Sequence, residues 1–288
     1  MSDDLLTADL VDVKKPADDD LRMWSVTTII GCLDKPALMY WAAGLTADAA
    51  IDQADYLAKR VEHEGREKVW KDLRDARFSR PKDQRSATEL GTAVHDACEK
   101  YALTGVKPEV DAEVQPFLDQ FDRWVQKWQP VYEAAEMTVY SPTYGYAGTL
   151  DAIMVVDGMR VIVDYKSTRQ SHDTYGKERG PYPEVALQLA AYRWAELAAT
   201  WRARRYEYRR RRYYLLGSSE QAESVPVPKV DGGIAIHISP EHATAYPVKC
   251  GQDVHTAFLY IIEAARWSFE MSNTVIGDPL VHPSEAVA

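Results

Sequence analysis

The sequence predicts an α/β chain with one sheet-centred core, and three observations lead there. Segments 136–142, 148–156 and 159–167 are short, β-branched or apolar, and bounded by Gly and Pro, as strands are. Helix-period segments precede them and return after them. A chain of 288 residues with 46% apolar content can fill one sizeable core.

Residues 1–22 are acidic and broken by Pro16, and are expected to form a flexible arm ahead of a single domain over 23–272, with a flexible tail over 273–288. The domain opens with a helical region over 23–85. Ser25 or Thr27 suits a helix N-cap, and Asp34 with Pro36 suits the cap and first turn of a second helix. Residues 46–75 follow the helical period with Gly65 as the weakest point, and a polar loop covers 79–85. Ser86 and Glu89 have the capping-box spacing, so a helix is expected from near Ala87 until Gly105 ends it. His95 and Glu99, four apart, share one face of that helix. Another helix over 111–128 stops at Pro130. After the three strands come a helix over 183–201, strands within 211–219, 232–239 and 242–249, and a last helix over 253–271.

Charge and cysteine usage narrow the function classes. A net charge of −10 argues against a protein that coats nucleic acid, because phosphate binding is driven by Lys and Arg. The charge is segregated, however: Arg202, Arg204, Arg205, Arg209, Arg210, Arg211 and Arg212 crowd one stretch, interleaved with Tyr206 and Tyr208. That stripe suits a local polyanion contact, or else is the solvated end of a helix and an edge strand. Cys32, Cys98 and Cys250 form no CxxC pair, so neither a disulfide framework nor a cysteine-built metal site is expected. No run is long and apolar enough for a membrane span, and the N-terminus is acidic where a signal peptide would be basic. A cytoplasmic protein without a membrane partner is the expectation.

The carboxylates in the strands carry the chemistry. Asp157-Gly158 between two apolar runs signals a two-residue hairpin. If Val156 faces Met159, each step up the ladder follows, and Asp151 falls directly opposite Asp164. Like charges so placed repel one another. Lys166 lies on the Asp164 face, two residues on, and neutralises one carboxylate. The remaining charge, on oxygen ligands in a half-buried place, suits a hard divalent cation such as Mg²⁺ or Mn²⁺. A solvated sheet edge would explain two aspartates equally well, but the flanking "VIV" and "AIMVV" are built to be buried. His95 is the natural third protein ligand. Gln188 and Tyr192, four apart, are polar on an otherwise apolar helix; packing accounts for Tyr192 more readily than for Gln188.

Four ordered motifs, "GTAVH" (91–95), "GTLD" (148–151), "DYK" (164–166) and "QLAAY" (188–192), resemble the RecB-like branch of the PD-(D/E)XK nuclease superfamily, which includes CRISPR-adaptation nucleases and bacteriophage exonucleases. The resemblance covers about 86–200, and "WSVTTIIGCLDKPALMYWAAGL" is similar to the starts of phage members. It implies a restriction-endonuclease-like core, a central mixed sheet flanked by helices, with 201–272 adding strands and a helix to a catalytic core over 86–200. His95, Asp151, Asp164 and the Tyr165 main-chain carbonyl would be metal ligands, and Lys166 would lie beside the scissile phosphate, with Gln188 and Tyr192 positioning the strand. Glu99 is the candidate for a second metal. The implied activity is Mg²⁺- or Mn²⁺-dependent DNA hydrolysis, by an exonuclease or else a structure-specific endonuclease, with a non-catalytic DNA-binding relative as the remaining reading. The implied partners are DNA and a single-strand annealing protein or recombinase, in the host cytoplasm if the chain is phage-encoded. Several relatives hold an iron–sulfur cluster with one cysteine before the core and three after it. Only Cys250 follows the core here, so no cluster is expected.

Overall fold

The computed structural model describes residues 21–76, 85–169, 172, 180–200, 203–208, 211–217 and 223–278. Of the expected arm, residues 1–20 lie outside these, and Leu21 and Arg22 instead open a strand, β1 (Leu21–Ser25), with Met23 and Trp24 buried. Ser25 then turns the chain: its hydroxyl accepts from the Thr28 amide at 3.1 Å and caps α1 (Val26–Ile30).

Residues 33–89 form one compact unit, and the rest of the chain another. The smaller unit holds α2 (Pro36–Ile51), α3 (Ala54–Glu64) and α4 (Arg66–Asp75). Its first helix is capped at Lys35 rather than Asp34, with Pro36 in the first turn, where its missing N–H leaves no bond unmade. Gly65 at φ 87° divides α3 from α4, and Arg60 ties them by reaching Glu64 at 2.7 Å and Asp72 at 2.6 Å. The capping box forms as expected, with the Ser86 amide donating to Glu89 at 2.6 Å and the Glu89 amide to Ser86 Oγ at 3.1 Å. It opens α5 (Ala87–Thr104), which ends at Gly105 with φ 67°.

The larger unit continues with α6 (Gln115–Trp128), β2 (Val131–Ser141), β3 (Tyr146–Val156), β4 (Met159–Ser167), α7 (Glu184–Arg193), β5 (Leu197–Ala198), β6 (Arg204–Tyr208) and β7 (Arg211–Leu216). It closes with β8 (Val225–Pro226), β9 (Gly232–Ile238), β10 (Ala243–Val248), α8 (Gln252–Arg266) and a π-helical turn, Trp267–Met271. Among the described residues ten strands make one mixed sheet, in the order β10-β9-β4-β3-β1-β7-β6, with β2 on the other edge of β3 and β5 and β8 beyond it. The β1–β3 and β4–β9 pairs are parallel and the others antiparallel. Ala152, Met154, Val161, Val163 and Tyr165 pack with Val94, Cys98, Leu118, Phe121 and Trp124 of α5 and α6 on one face. The alternate residues of β4 face α7 on the other side, where Gln188 meets Asp164.

The helix expected over 183–201 is about half that length. Its Ala-rich continuation has good helix propensity, yet Leu197 and Ala198 leave the helix to pair with Tyr140 and Val139 of β2. A strand edge with unmet backbone groups outweighs a few tenths of a kcal/mol per residue of propensity.

Candidate metal centre

Asp157 and Gly158 take φ of 49° and 77°, the two left-handed residues a type I′ hairpin needs. Val156 accordingly faces Met159, and closed pairs run to Ala152 opposite Val163. On this edge of β3, β1 takes over only at Ala147 and Tyr146. Between the two, residues 148–151 have no strand partner on that side, and the sheet forks. The hairpin ladder closes no pair beyond Ala152 and Val163, so Asp151 and Asp164, which the turn's register would set opposite one another, lie where the two strands part. On the other edge, Ala135 faces Ala152 and Met137 faces Leu150, which sets Glu136 opposite Asp151. Three carboxylates, Glu136, Asp151 and Asp164, thus come from neighbouring positions on β2, β3 and β4.

The fork aims these groups. A Cβ on Gly148 would overlap the Tyr192 ring of α7, whereas Ala152 packs under α5 and α6. Strict alternation would put both on one face, so the pleat slips between them. Glu136 across from it takes φ 49°, a left-handed conformation rare for a glutamate. The Asp151 carboxylate is left in the plane of the sheet, where its Oδ2 accepts the Tyr165 amide at 2.7 Å, a donor that would otherwise be in a ladder.

Cations and amides answer the clustered charge. His95 Nε2 lies 2.9 Å from Asp151 Oδ1 and its Nδ1 3.6 Å from Glu136 Oε1. Burial pulls this imidazole down, but Asp151 and Glu136 outweigh it and raise its pKa to about 9. Burial raises Glu136 to about 7, with Glu99 and Asp151 adding to the rise and His95 and Arg205 opposing it. Asp164 is 1% exposed, and burial holds it above the usual carboxylate range against the pull of Lys166. Lys166 Nζ donates to Asp164 Oδ1 at 2.6 Å, and Gln188 Nε2 donates to the same oxygen at 2.7 Å and reaches the Tyr192 hydroxyl at 3.4 Å. Asp164 Oδ2 lies 2.5 Å from Lys166 Nζ without hydrogen-bond geometry, and has no hydrogen-bond partner.

The donor set fits a hard divalent cation. His95, Glu136 and Asp151 bring one ligand atom each within 4.8 Å of one another, and Asp164 on the next strand is buried beside them in an ion pair with Lys166. Mostly oxygen ligands with one imidazole suit Mg²⁺ or Mn²⁺. Asp164 is not one of the three gathered groups; it adjoins them, paired with Lys166. Tyr165 sets its amide on Asp151 and its ring edge-on to His95, with centroids 5.8 Å apart. Glu99, half-buried a turn beyond His95, acts on Glu136 without joining the cluster.

Glu136 is the residue that sequence reasoning missed. Its signal was present: a four-residue loop over 142–145 that pairs Ser141 with Tyr146 leads step by step to Glu136 opposite Asp151. The arginine stripe is divided rather than continuous. Arg205 and Arg212 lie on one face of the β6–β7 hairpin and Arg211 on the other, while Arg202, Arg209 and Arg210 lie outside the described residues. Of the cysteines, Cys98 is buried on α5, Cys250 is buried against Arg193, and Cys32 is half-buried after α1.

Neither a family model nor a curated protein matches the chain. The crystal structure of SSO0001 aligns with 91% of this chain and 81% of its own at 12% identity and a TM-score of 0.36, a likeness too low to bear on family or function. Among the described residues no helix is long and apolar enough to cross a membrane.

Proposed function

We propose that this chain is a Mg²⁺- or Mn²⁺-dependent nuclease that hydrolyses phosphodiester bonds in DNA, with a site of the RecB-like PD-(D/E)XK kind. One observation carries the reading: a fork in the sheet gathers His95, Glu136 and Asp151 and sets Asp164, Lys166 and Gln188 beside them. Bound there, a divalent cation would polarise a phosphate oxygen and acidify a coordinated water. His95, Glu136 and Asp151 would hold it, with Asp164 and its Lys166 partner alongside. The Tyr165 amide fixes the rotamer of Asp151, and Gln188, braced by Tyr192, fixes that of Asp164. Lys166 is 37% exposed, so its ammonium can leave Asp164 for an incoming phosphate or water and stabilise the charge that develops there.

The test is incubation of end-labelled linear DNA and covalently closed circular DNA with Mg²⁺, with and without a chelator. Degradation of the linear substrate alone identifies an exonuclease, and nicking of the circle an endonuclease with the same site. Failure to cleave either in Mg²⁺ or Mn²⁺, by protein that binds Mn²⁺, overturns the proposal.

A further inference from the structure

The β6–β7 hairpin sorts its arginines by face. Arg205 pairs with Tyr214 and Glu207 with Arg212, so these four share one side of the sheet. Arg211 belongs to the other side, where its guanidinium stacks 4.1 Å from the Phe269 ring and donates to the Phe269 carbonyl at 3.1 Å. The Tyr214 hydroxyl meets Thr149 Oγ1 at 3.0 Å. Thr149 stands two residues before Asp151 on β3 and faces Thr138, which stands two residues after Glu136 on β2. The face of Arg205 is thereby pinned to the two strands that carry the carboxylates.

Arg205 is half-buried on that face, directly across from Tyr214. Among the described residues no carboxylate lies within ion-pair distance of it. A guanidinium fixed beside a metal centre, partly out of water and without a carboxylate of its own, is completed by an anion from outside. Its planar fork matches the two oxygens of a phosphate.

We infer that Arg205 is a phosphate clamp, gripping a backbone phosphate of the nucleic acid adjacent to the one at the metal centre, while Arg211 takes no part. The inference rests on the nuclease reading. Full-length protein is titrated with a labelled DNA duplex in Ca²⁺ at several salt concentrations, and with Mn²⁺ in the absence of DNA. Arg205→Ala is expected to weaken DNA binding roughly 10- to 100-fold and to flatten the slope of log affinity against log salt by about 0.7–0.9. Arg205→Lys recovers part of that slope, and Arg211→Ala binds as the wild type does. Mn²⁺ affinity of Arg205→Ala holds or rises, because a neighbouring positive charge is gone. If Arg205 merely balances Glu136, its alanine variant changes Mn²⁺ affinity and melting temperature but keeps the wild-type salt slope, and the clamp is overturned with the nuclease reading intact. Wild-type protein that neither binds nor cleaves DNA overturns both.

Discussion

The two halves of the β3–β4 hairpin share a turn, a register and a sheet, yet use their backbones differently. Apart from the Asp157-Gly158 turn, every position from Ala152 to Val163 is in a closed pair, and Ile153, Met154, Ile162 and Val163 are at most 1% exposed. Beyond that point the strands part: β4 keeps its parallel partner β9 from Asp164 to Ser167, but β3 has none on that edge until Ala147. The Tyr165 amide, released from any carbonyl of β3, is taken up by the Asp151 carboxylate. The open half thus shows how a sheet can seat a polar cluster in its interior: a side chain takes the place of the ladder where the strands diverge.

Substitutions in the open half are expected to abolish function and those in the closed half to lower stability. The largest effect falls on turnover: Asp151→Ala, Asp164→Ala and Lys166→Ala should each reduce Mg²⁺-dependent DNA cleavage by on the order of 10³-fold or more while circular dichroism shows a folded chain. Near-normal activity in any one of them would displace that residue from the site. In the closed half, Ile162→Ala should cost about 2–5 kcal/mol of unfolding free energy, because Ile162 is 1% exposed, with Mn²⁺ affinity unaltered. A change in affinity of tenfold or more there would mean that the two halves are coupled.

The smallest effect sharpens the comparison by its sign. Burial raises Glu136 from an ordinary 4.5 to about 7, so the metal-free protein loses stability as pH rises across that window. The contribution of His95 is full below 6.5 and lost as pH climbs through about 9. Both run the same way, so metal-free protein weakens with rising pH while cation affinity climbs, since the ligands must shed their protons. Glu136→Gln should stabilise the metal-free protein at about pH 8 by about 1–3 kcal/mol and weaken Mn²⁺ binding. Thermal melts and Mn²⁺ titrations at two pH values check both signs, and a destabilised metal-free variant would refute this account of Glu136.

How much was legible follows from where local chemistry decides. Asp157-Gly158 can make only a tight hairpin, and the closed pairs up to Ala152 and Val163 are readable from it; so are the capping box at Ser86 and the stop at Gly105. Glu136 was hidden because its placement depends on a longer loop and on a strand whose register shifts between Tyr132 and Ala134. The end of α7 was misread because a distant strand edge, not propensity, decides it. Leu21–Ser25 was taken in part for arm because a five-residue strand after an acidic stretch carries almost no periodic signal. The four motifs mark His95, Asp151, Asp164, Lys166 and Gln188, but the fork where three strands meet, and with it Glu136, is a property of those strands at once.

The contact of Gly148 with the Tyr192 ring makes those two positions a size-coupled pair. A side chain can enter at 148 only if the ring at 192 shrinks, and a smaller residue at 192 leaves a hole that glycine cannot fill. Each position is therefore a trap for single substitutions, while a compensated double exchange remains open. In a library varied at one of them, selection would return the starting residue; varied together, the two would drift as a unit, and with them the brace behind Gln188.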